Sequence, residues 1–293
     1  MKKILFTLII VASFAATVQA NSRIAFLRYT KGYWQVWVMN KDGGAQKQLT
    51  FSQADKRDVS WFKDGKKLLV STNLNDIYVT NLSTGKEKLV QVKLPVSKAY
   101  IRDIMLSPDD KQFVFVIDKQ MDSNGEVWVS DLDGQHVRRI YKSQYFLSKP
   151  VWTYNGNDIV FRVVPFLHGN ELGHNIWIMK NNGTEAKLVM NDRPSHSDQV
   201  CSKLNQISFS SLRDSNNYNI WVVGLNGKGL KEVTSNMGDT SDPSWSPNGR
   251  HIAFTSNKTG RDQIWVIRSD GTGLTQLTHG PQGAHHPVWS YEY

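Results

Sequence analysis

Asp242-Pro-Ser-Trp-Ser-Pro-Asn-Gly249 opens the stretch that decides the fold, and it is followed by Ile252-Ala-Phe-Thr255, Ile264-Trp-Val-Ile267 and Leu274-Thr-Gln-Leu-Thr278. Each apolar piece is short, rich in β-branched and aromatic residues, and bounded by Gly, Pro, Asn or Asp, as β-strands between turns are. Ser246-Pro247-Asn248-Gly249 has Pro at the second turn position and Gly at the last, where the chain reverses tightly. The stretch therefore predicts four short antiparallel strands.

The third of these segments, an aliphatic-aromatic-aliphatic strand, recurs along the whole chain at intervals of 41 to 50 residues. A period in this range is typical of propeller blades, each of which has four strands. The six aromatic residues are Trp37, Tyr78, Trp128, Trp177, Trp221 and Trp265. The sequence predicts an all-β fold, a six-bladed β-propeller of four-stranded blades, with these aromatics packed between blades rather than against a ligand.

The two ends of the chain carry complementary parts of one blade. Residues 23–26 match residues 250–254, a second strand, whereas residues 286–290 match residues 242–246, a first strand. We therefore expect the ring to be closed by a C-terminal strand, from about residue 286 onward, that completes the N-terminal blade. Such closure hides strand edges that would otherwise invite aggregation.

The N-terminus has the pattern of a secretory signal peptide. Met1-Lys2-Lys3 is a charged n-region, an apolar run extends from Ile4 to about Ala16, and Val18-Gln19-Ala20 is a small-residue cleavage site. The apolar run is shorter than the ~20 residues that span a bilayer, and no later stretch approaches that length. We expect residues 1–20 to be a signal peptide, residues 21–293 to form one exported propeller domain, and no membrane span after cleavage.

Composition limits the partners and the source of stability. The net charge is +9, which can attract anionic envelope polymers or acidic proteins. No run of five or more like charges occurs, so the charge favours solubility, and no nucleic-acid partner is expected. Cys201 is the single cysteine; an intrachain disulfide is impossible, and we expect a monomer that relies on its core, with Cys201 as a small buried residue.

Six equivalent positions are candidates for the mouth of the channel, because the innermost strands of a propeller surround its axis. Each lies three residues before the first-strand aromatic position, and they hold Asp58, Asp103, Lys149, Asp198, Asp242 and His286. The carboxylates would attract a cation or a basic partner segment, and His286 would change charge near neutral pH. Alternatively, each Asp accepts backbone hydrogen bonds from the loop between two blades, which the recurrence favours. The preceding residues Arg57, Arg102 and His285 either balance the carboxylates or point away.

The fourth repeat has the longest insertion, residues 164–174, which propeller connectivity places on the same mouth. It contains three residues that superficially resemble zinc ligands: His168, Glu171 and His174. Gly169 and Gly173 disfavour the helix that the H-E-x-x-H spacing needs. We expect a recognition loop in which Phe166 and Leu167 are partly exposed, and no metal site.

Signals for catalysis are weak, since neither a Gly-x-Ser-x-Gly elbow nor a phosphate-binding loop occurs. His196, His285 and His286 are candidates for a channel metal in a propeller enzyme. The sequence does not determine their geometry, and we interpret them as solvent-facing loop residues. No catalytic residue, metal or cofactor is therefore predicted.

The units quoted above from residues 242–278 resemble the TolB β-propeller repeat family. The resemblance is close there and in residues 35–50, and looser in the second to fifth repeats. It implies a six-bladed ring in the periplasm of a Gram-negative cell, which binds a lipoprotein at one mouth of its channel. It also implies a separate α/β domain before the propeller, which we do not expect in this chain.

These observations predict a periplasmic scaffold that binds an envelope protein, a lipoprotein or a peptide end at the channel mouth. Contacts are expected from the ring positions and from aromatic and arginine residues in the loops between second and third strands: Tyr29, Tyr33, Trp34, Arg213 and Arg261. The alternative is a lyase or hydrolase that acts on an anionic carbohydrate with a metal in the channel.

Overall fold

A computed structural model describes residues 22–95, 99–119, 125–167, 170–171, 173–192, 200–201, 203–213 and 215–291. The described residues form strands, turns and loops, and no helix in this part of the chain is long and apolar enough to span a membrane. The predicted signal peptide lies outside the described residues and stays a prediction.

The strands form six four-stranded antiparallel sheets, the blades, which we number from the N-terminus. Blade 1 contains β26 (Ala284–Trp289), β1 (Arg23–Thr30), β2 (Tyr33–Asn40) and β3 (Lys47–Gln48). Blade 2 contains β4 (Lys56–Trp61), β5 (Lys67–Thr72), β6 (Ile77–Asn81) and β7 (Glu87–Leu89). Blade 3 contains β8 (Ala99–Leu106), β9 (Gln112–Lys119), β10 (Glu126–Asp131) and β11 (Arg138–Lys142).

The second half of the chain repeats this order. Blade 4 contains β12 (Phe146–Trp152), β13 (Asp158–Val164), β16 (Asn175–Lys180) and β17 (Lys187–Met190). Its insertion forms a separate small hairpin, β14 (Phe166–Leu167) and β15 (Asn170–Glu171). Blade 5 contains β18 (Val200–Cys201), β19 (Gln206–Ser211), β20 (Asn219–Gly224) and β21 (Lys231–Glu232). Blade 6 contains β22 (Thr240–Trp245), β23 (His251–Ser256), β24 (Gln263–Arg268) and β25 (Thr275–Gln276).

The innermost strands contact one another in a closed cycle, from β26 through β4, β8, β12, β18 and β22 back to β26. The predicted six-bladed propeller is thus confirmed. So is its closure: β26 pairs antiparallel with β1, with Ile24 opposite Trp289. The closing strand also bonds to both neighbouring blades, since Trp61 Nε1 donates to the Val288 carbonyl (2.9 Å) and the Trp289 N–H donates to Ser244 Oγ (3.0 Å).

Apolar packing lies between the blades rather than in one central core, because each blade has two apolar faces. Six buried clusters each join residues of two adjacent blades. Between blades 5 and 6, for example, Ile220 and Val222 pack with Trp245, Phe254 and Trp265. The five tryptophans of the repeated strand pack into such clusters, as the sequence predicts: Trp37, Trp128, Trp177, Trp221 and Trp265.

Candidate functional site

Five of the six predicted channel positions line one central cavity: Asp58, Asp103, Lys149, Asp242 and His286. We call these five residues the ring; the sixth position, Asp198, lies outside the described residues. A more open part of the channel, which we call the mouth, is lined by four ring residues together with Trp34, Asp55, Arg57, Asn73, Arg102 and His285. The structure therefore brings together side chains that lie more than 200 residues apart in the chain.

A backbone irregularity shapes the ring. Asp103, Lys149, Asp242 and His286 have left-handed φ values of 56°, 50°, 51° and 57°. The pairing of the innermost strand with its neighbour shifts register around each of these positions, as at a β-bulge. Asp and His tolerate this conformation better than most residues, whereas Lys rarely adopts it. The left-handed conformation thus suits Asp103, Asp242 and His286, whereas Lys149 is the exception, and Asp58 does not adopt it.

Lys149 forms a close ion pair with the preceding ring residue. Its Nζ lies 3.0 Å from Asp103 Oδ1, and its backbone N–H donates to Asp103 Oδ2 (3.1 Å). Arg102 Nη1 lies 2.5 Å from the same Oδ2, so Arg102 balances the carboxylate, one of the two predicted alternatives. Burial acts to raise the pKa of Asp103, but Lys149 and Arg102 outweigh it and lower the pKa to about 2.

Asp242 and His286 form the equivalent contact on the other side of the ring, at a longer distance. His286 Nδ1 lies 3.7 Å from Asp242 Oδ1. Asp242 Oδ2 accepts hydrogen bonds from Ser241 Oγ and Thr255 Oγ1, both at 3.0 Å. Thr255 Oγ1 in turn accepts the His286 N–H (3.1 Å). Burial acts to raise the pKa of Asp242, but the nearby His286, with His285 and Lys149, outweighs burial and lowers the pKa below its usual range.

Asp58 is the ring carboxylate whose pKa is raised, whereas the pKa values of Asp103 and Asp242 are lowered. Burial raises its pKa, and the charge of Asp103 adds to this, whereas Lys149 and His286 lower it without outweighing burial. Its Oδ2 accepts a hydrogen bond from Ser71 Oγ (2.7 Å), and its own N–H donates to Ser71 Oγ (3.0 Å). Equivalent positions of the repeat therefore differ in electrostatics.

His285 precedes the ring residue of blade 1 and lies in β26, not in a loop. Its imidazole is partly buried against the edge of Trp34, with 4.2 Å between ring centroids. Burial lowers the pKa of His285 to about 4, so the side chain is neutral at pH 7. The interpretation of His285 and His286 as solvent-facing loop residues is wrong, because both are partly buried strand residues.

One group of described residues could hold a metal ion. Asp242, His285 and His286 each offer a ligand atom, and these atoms all lie within 4.8 Å of one another. Consecutive strand residues normally point to opposite faces, so convergence of two adjacent histidines depends on the bulge. The sequence placed Asp242 and His286 among the ring positions and named His285 and His286 as candidates for a channel metal, but it grouped the two histidines with His196 rather than with Asp242.

Apolar side chains lie in the loops and strand ends of blades 1 to 3 that also carry residues of the mouth. We call them the rim: Tyr29, Phe51, Leu74 and Tyr100, which are exposed, and Trp34, which is partly buried. Phe51 is 74% exposed and Leu74 is 63% exposed, although both are large apolar residues. Of these five, the sequence analysis named Tyr29 and Trp34 and missed the rest. The available signal was an apolar residue inside a polar turn, as in Asn73-Leu74-Asn75.

The remaining predicted residues lie apart from the ring. Arg261 is exposed and lines a separate groove with Gln276 and His279. Arg213 is held by the loop after blade 4, where its Nε lies 3.3 Å from Asp192 Oδ1. His168 and His196 lie outside the described residues, as do the side chains of Phe166, Leu167 and Glu171.

Several solved structures share this architecture. TolB from Acinetobacter baumannii superposes with a TM-score of 0.76 at 20% identity, over 92% of this chain and 67% of that one. A chain of the nidogen–laminin complex superposes with a TM-score of 0.72 at 11% identity, over 92% of this chain and 98% of that one. Oligogalacturonate lyase in complex with manganese superposes with a TM-score of 0.61 at 12% identity, over 87% of this chain and 73% of that one. At these identities the likeness shows the fold alone.

A search of curated protein sequences gave no match. The family model of the TolB beta propeller domain matches residues 110–292, more than half of the chain. This match agrees with the resemblance of the repeat units and with the six-bladed structure. The chain belongs to the TolB beta propeller domain family.

Proposed function

We propose that this propeller is a protein-binding module of the bacterial periplasm, whose mouth and rim bind an extended segment of an envelope protein or lipoprotein. The observation that carries the proposal is the exposed apolar rim beside a charged channel. Binding sites commonly combine exposed apolar and aromatic anchors with a few placed polar groups. The proposed function agrees with what the family resemblance implies.

The rim is suited to binding because it stands on a rigid platform. The Trp34 N–H donates to Asp55 Oδ1 (2.8 Å), and the Asp55 N–H donates to Asn73 Oδ1 (3.1 Å). Asn75 Oδ1 then accepts the N–H of Ile101 (2.5 Å). These bonds join the segments of blades 1, 2 and 3 that carry the rim side chains. A surface ordered before binding loses little conformational entropy on association.

Affinity capture from an envelope extract tests the proposal. The immobilised protein is compared with the variant Phe51→Ser/Leu74→Ser, in which two rim anchors are removed. Leu230→Ser/Leu274→Ser is the matched control, because these leucines are 37% and 38% exposed and lie in the β20–β21 and β24–β25 loops.

We expect one discrete protein to be retained by the wild type and the control, and its affinity to fall at least about tenfold in the rim variant. Equal retention by all three proteins would overturn the role of the rim. The proposed location is checked by mass spectrometry of the protein from cells, since cleavage before Asn21 and release with the periplasmic fraction are expected.

A second candidate, a lyase or hydrolase acting on an anionic carbohydrate, is favoured by the cations at the mouth. Arg57, Arg102 and Lys149 line it beside His285 and His286. The structural likeness to oligogalacturonate lyase suggests the substrate to test. Production of unsaturated ends from oligogalacturonate, followed by ultraviolet absorbance and abolished in Arg57→Gln, a change at an exposed cation of the mouth, would favour a lyase over the binding module.

A further inference from the structure

We propose that Asp242, His285 and His286 form a binding site for one divalent transition-metal ion, such as Zn²⁺, at the mouth of the channel. The site joins the closing strand β26 to the innermost strand of blade 6. Its test is separate from that of the proposed protein binding, because the rim variants Phe51→Ser/Leu74→Ser and the metal-ligand variants change different residues.

The geometry of the backbone brings the three ligands together. His286 occupies the left-handed bulge position of β26, and the pairing of β26 with β1 shifts register between Ala25 and Leu27. The bulge lets two consecutive residues face the same space, where their ligand atoms and that of Asp242 lie within 4.8 Å of one another. In sites with three protein ligands the donor atoms lie about 2.0–2.2 Å from the zinc ion and hence at most about 4.4 Å apart, so these ligand atoms need to move only slightly closer to share one ion.

Contacts outside the cluster orient each ligand. Ser241 and Thr255 donate to Oδ2 of Asp242, and Oδ1 is the oxygen nearer to His286. The Trp34 and His285 rings pack in a T-shaped arrangement, with 4.2 Å between their centroids. Thr255 also accepts the backbone N–H of His286, which fixes that residue relative to Asp242. Such supporting contacts reduce the reorganisation that metal binding requires.

The ligand set determines the class of metal. Two imidazoles and one carboxylate suit first-row transition ions, whereas Ca²⁺ and Mg²⁺ prefer oxygen ligands alone. His285 and His286 also line the open mouth, so a bound ion keeps positions accessible to a further ligand. Lys149 is the lysine of the ring, and its ammonium group pairs with Asp103 at 3.0 Å.

Calorimetric titration of the chelator-treated full chain with Zn²⁺, and visible absorption after addition of Co²⁺, test the site. His286→Asn and Asp242→Asn are the test variants, because Asn tolerates the left-handed backbone of both positions. His279→Asn is the control, because His279 is an exposed histidine in a separate groove. Circular dichroism confirms that each variant is folded.

We expect one equivalent of Zn²⁺ and a cobalt spectrum with nitrogen ligands in the wild type and in the control. Both ligand variants should bind at least about tenfold more weakly. Absence of saturable binding to the wild type, or equal affinity in His286→Asn, would overturn the proposal. Tight Ca²⁺ binding lost in Asp242→Asn and kept in His286→Asn would also overturn it, since that outcome indicates an oxygen site on the acidic ring.

Discussion

The Asp103–Lys149 side of the ring and the Asp242–His286 side share the same left-handed bulge in the backbone, but their side chains interact differently. In each, a carboxylate of one blade faces a side chain at the left-handed position of the next blade. Lys149 closes the contact at 3.0 Å and donates its backbone N–H to the same carboxylate. On the other side, His286 Nδ1 lies 3.7 Å from Asp242 Oδ1. There Thr255 Oγ1 donates to the Asp242 carboxylate and accepts the backbone N–H of His286.

The difference shows how one repeat supports both structure and function. A short ion pair between Asp103 and Lys149 joins blades 3 and 4, and Arg102 also joins them, since it pairs with Asp103 and donates to the Leu147 carbonyl. The looser side joins blades 6 and 1 through an imidazole, and three possible metal-ligand atoms lie within 4.8 Å of one another there. We therefore expect changes on the Lys149 side to affect mainly stability, and changes on the His286 side to affect mainly ligand binding.

The largest expected difference is between Lys149→Asn and His286→Asn. Lys149→Asn leaves the buried Asp103 carboxylate with Arg102 alone, and we expect it to lower the free energy of unfolding by about 3 kcal/mol at pH 7. His286→Asn should cost less than about 1 kcal/mol, because Asp242 keeps the Ser241 and Thr255 hydrogen bonds. Urea unfolding of both variants measures this, and equal losses would contradict the assigned difference.

In the metal-free protein, acid should lower the free energy of unfolding through the two sides of the ring in different pH ranges. The pKa of His285 is lowered from 6.5 to about 4 by burial, so the unfolded chain binds this proton first and stability falls from pH 6.5 towards 4. The pKa of Asp103 is lowered from 3.8 to about 2, so its contribution of about 2 kcal/mol is present above pH 3.8 and is lost towards pH 2.

Urea unfolding at a series of pH values tests these two ranges. His285→Gln should remove part of the decline between pH 6.5 and 4. The stability difference between the wild type and Lys149→Asn should shrink as the pH falls from about 4 to 2. A difference that stays constant over that range would show that Lys149 does not act through ionised Asp103.

The smallest expected effect contrasts Asp58 with Asp103. Burial raises the pKa of Asp58, so its ionised form costs stability above its ordinary pKa of 3.8. Asp58→Asn should therefore leave stability unchanged or raise it by up to about 1 kcal/mol at pH 7, whereas Asp103→Asn should lower it. Thermal unfolding of both variants at pH 7 gives the sign, and a destabilised Asp58→Asn would refute the pKa shift.

Much of the site was predictable because the repeat aligns its positions. Counting back from the first-strand aromatic identified Asp58, Asp103 and Lys149 as neighbours, and the structure places them in one cavity. The role of Arg102 was one of two open alternatives, because side-chain direction beside a bulge does not follow simple alternation. Phe51 and Leu74 were missed because loop residues carry no periodic signal.

The sequence by itself determined the number of blades and the closure of the ring. Strand alternation, turn residues and the 41-to-50-residue period are local signals, and the two apolar faces of every blade require neighbours on both sides. Only the tertiary structure decided that two adjacent histidines meet Asp242, that Lys149 neutralises Asp103, and that the rim lies on blades that also carry residues of the mouth. These contacts join separate blades and depend on bulges, whose direction is set by packing around the ring rather than by any single segment.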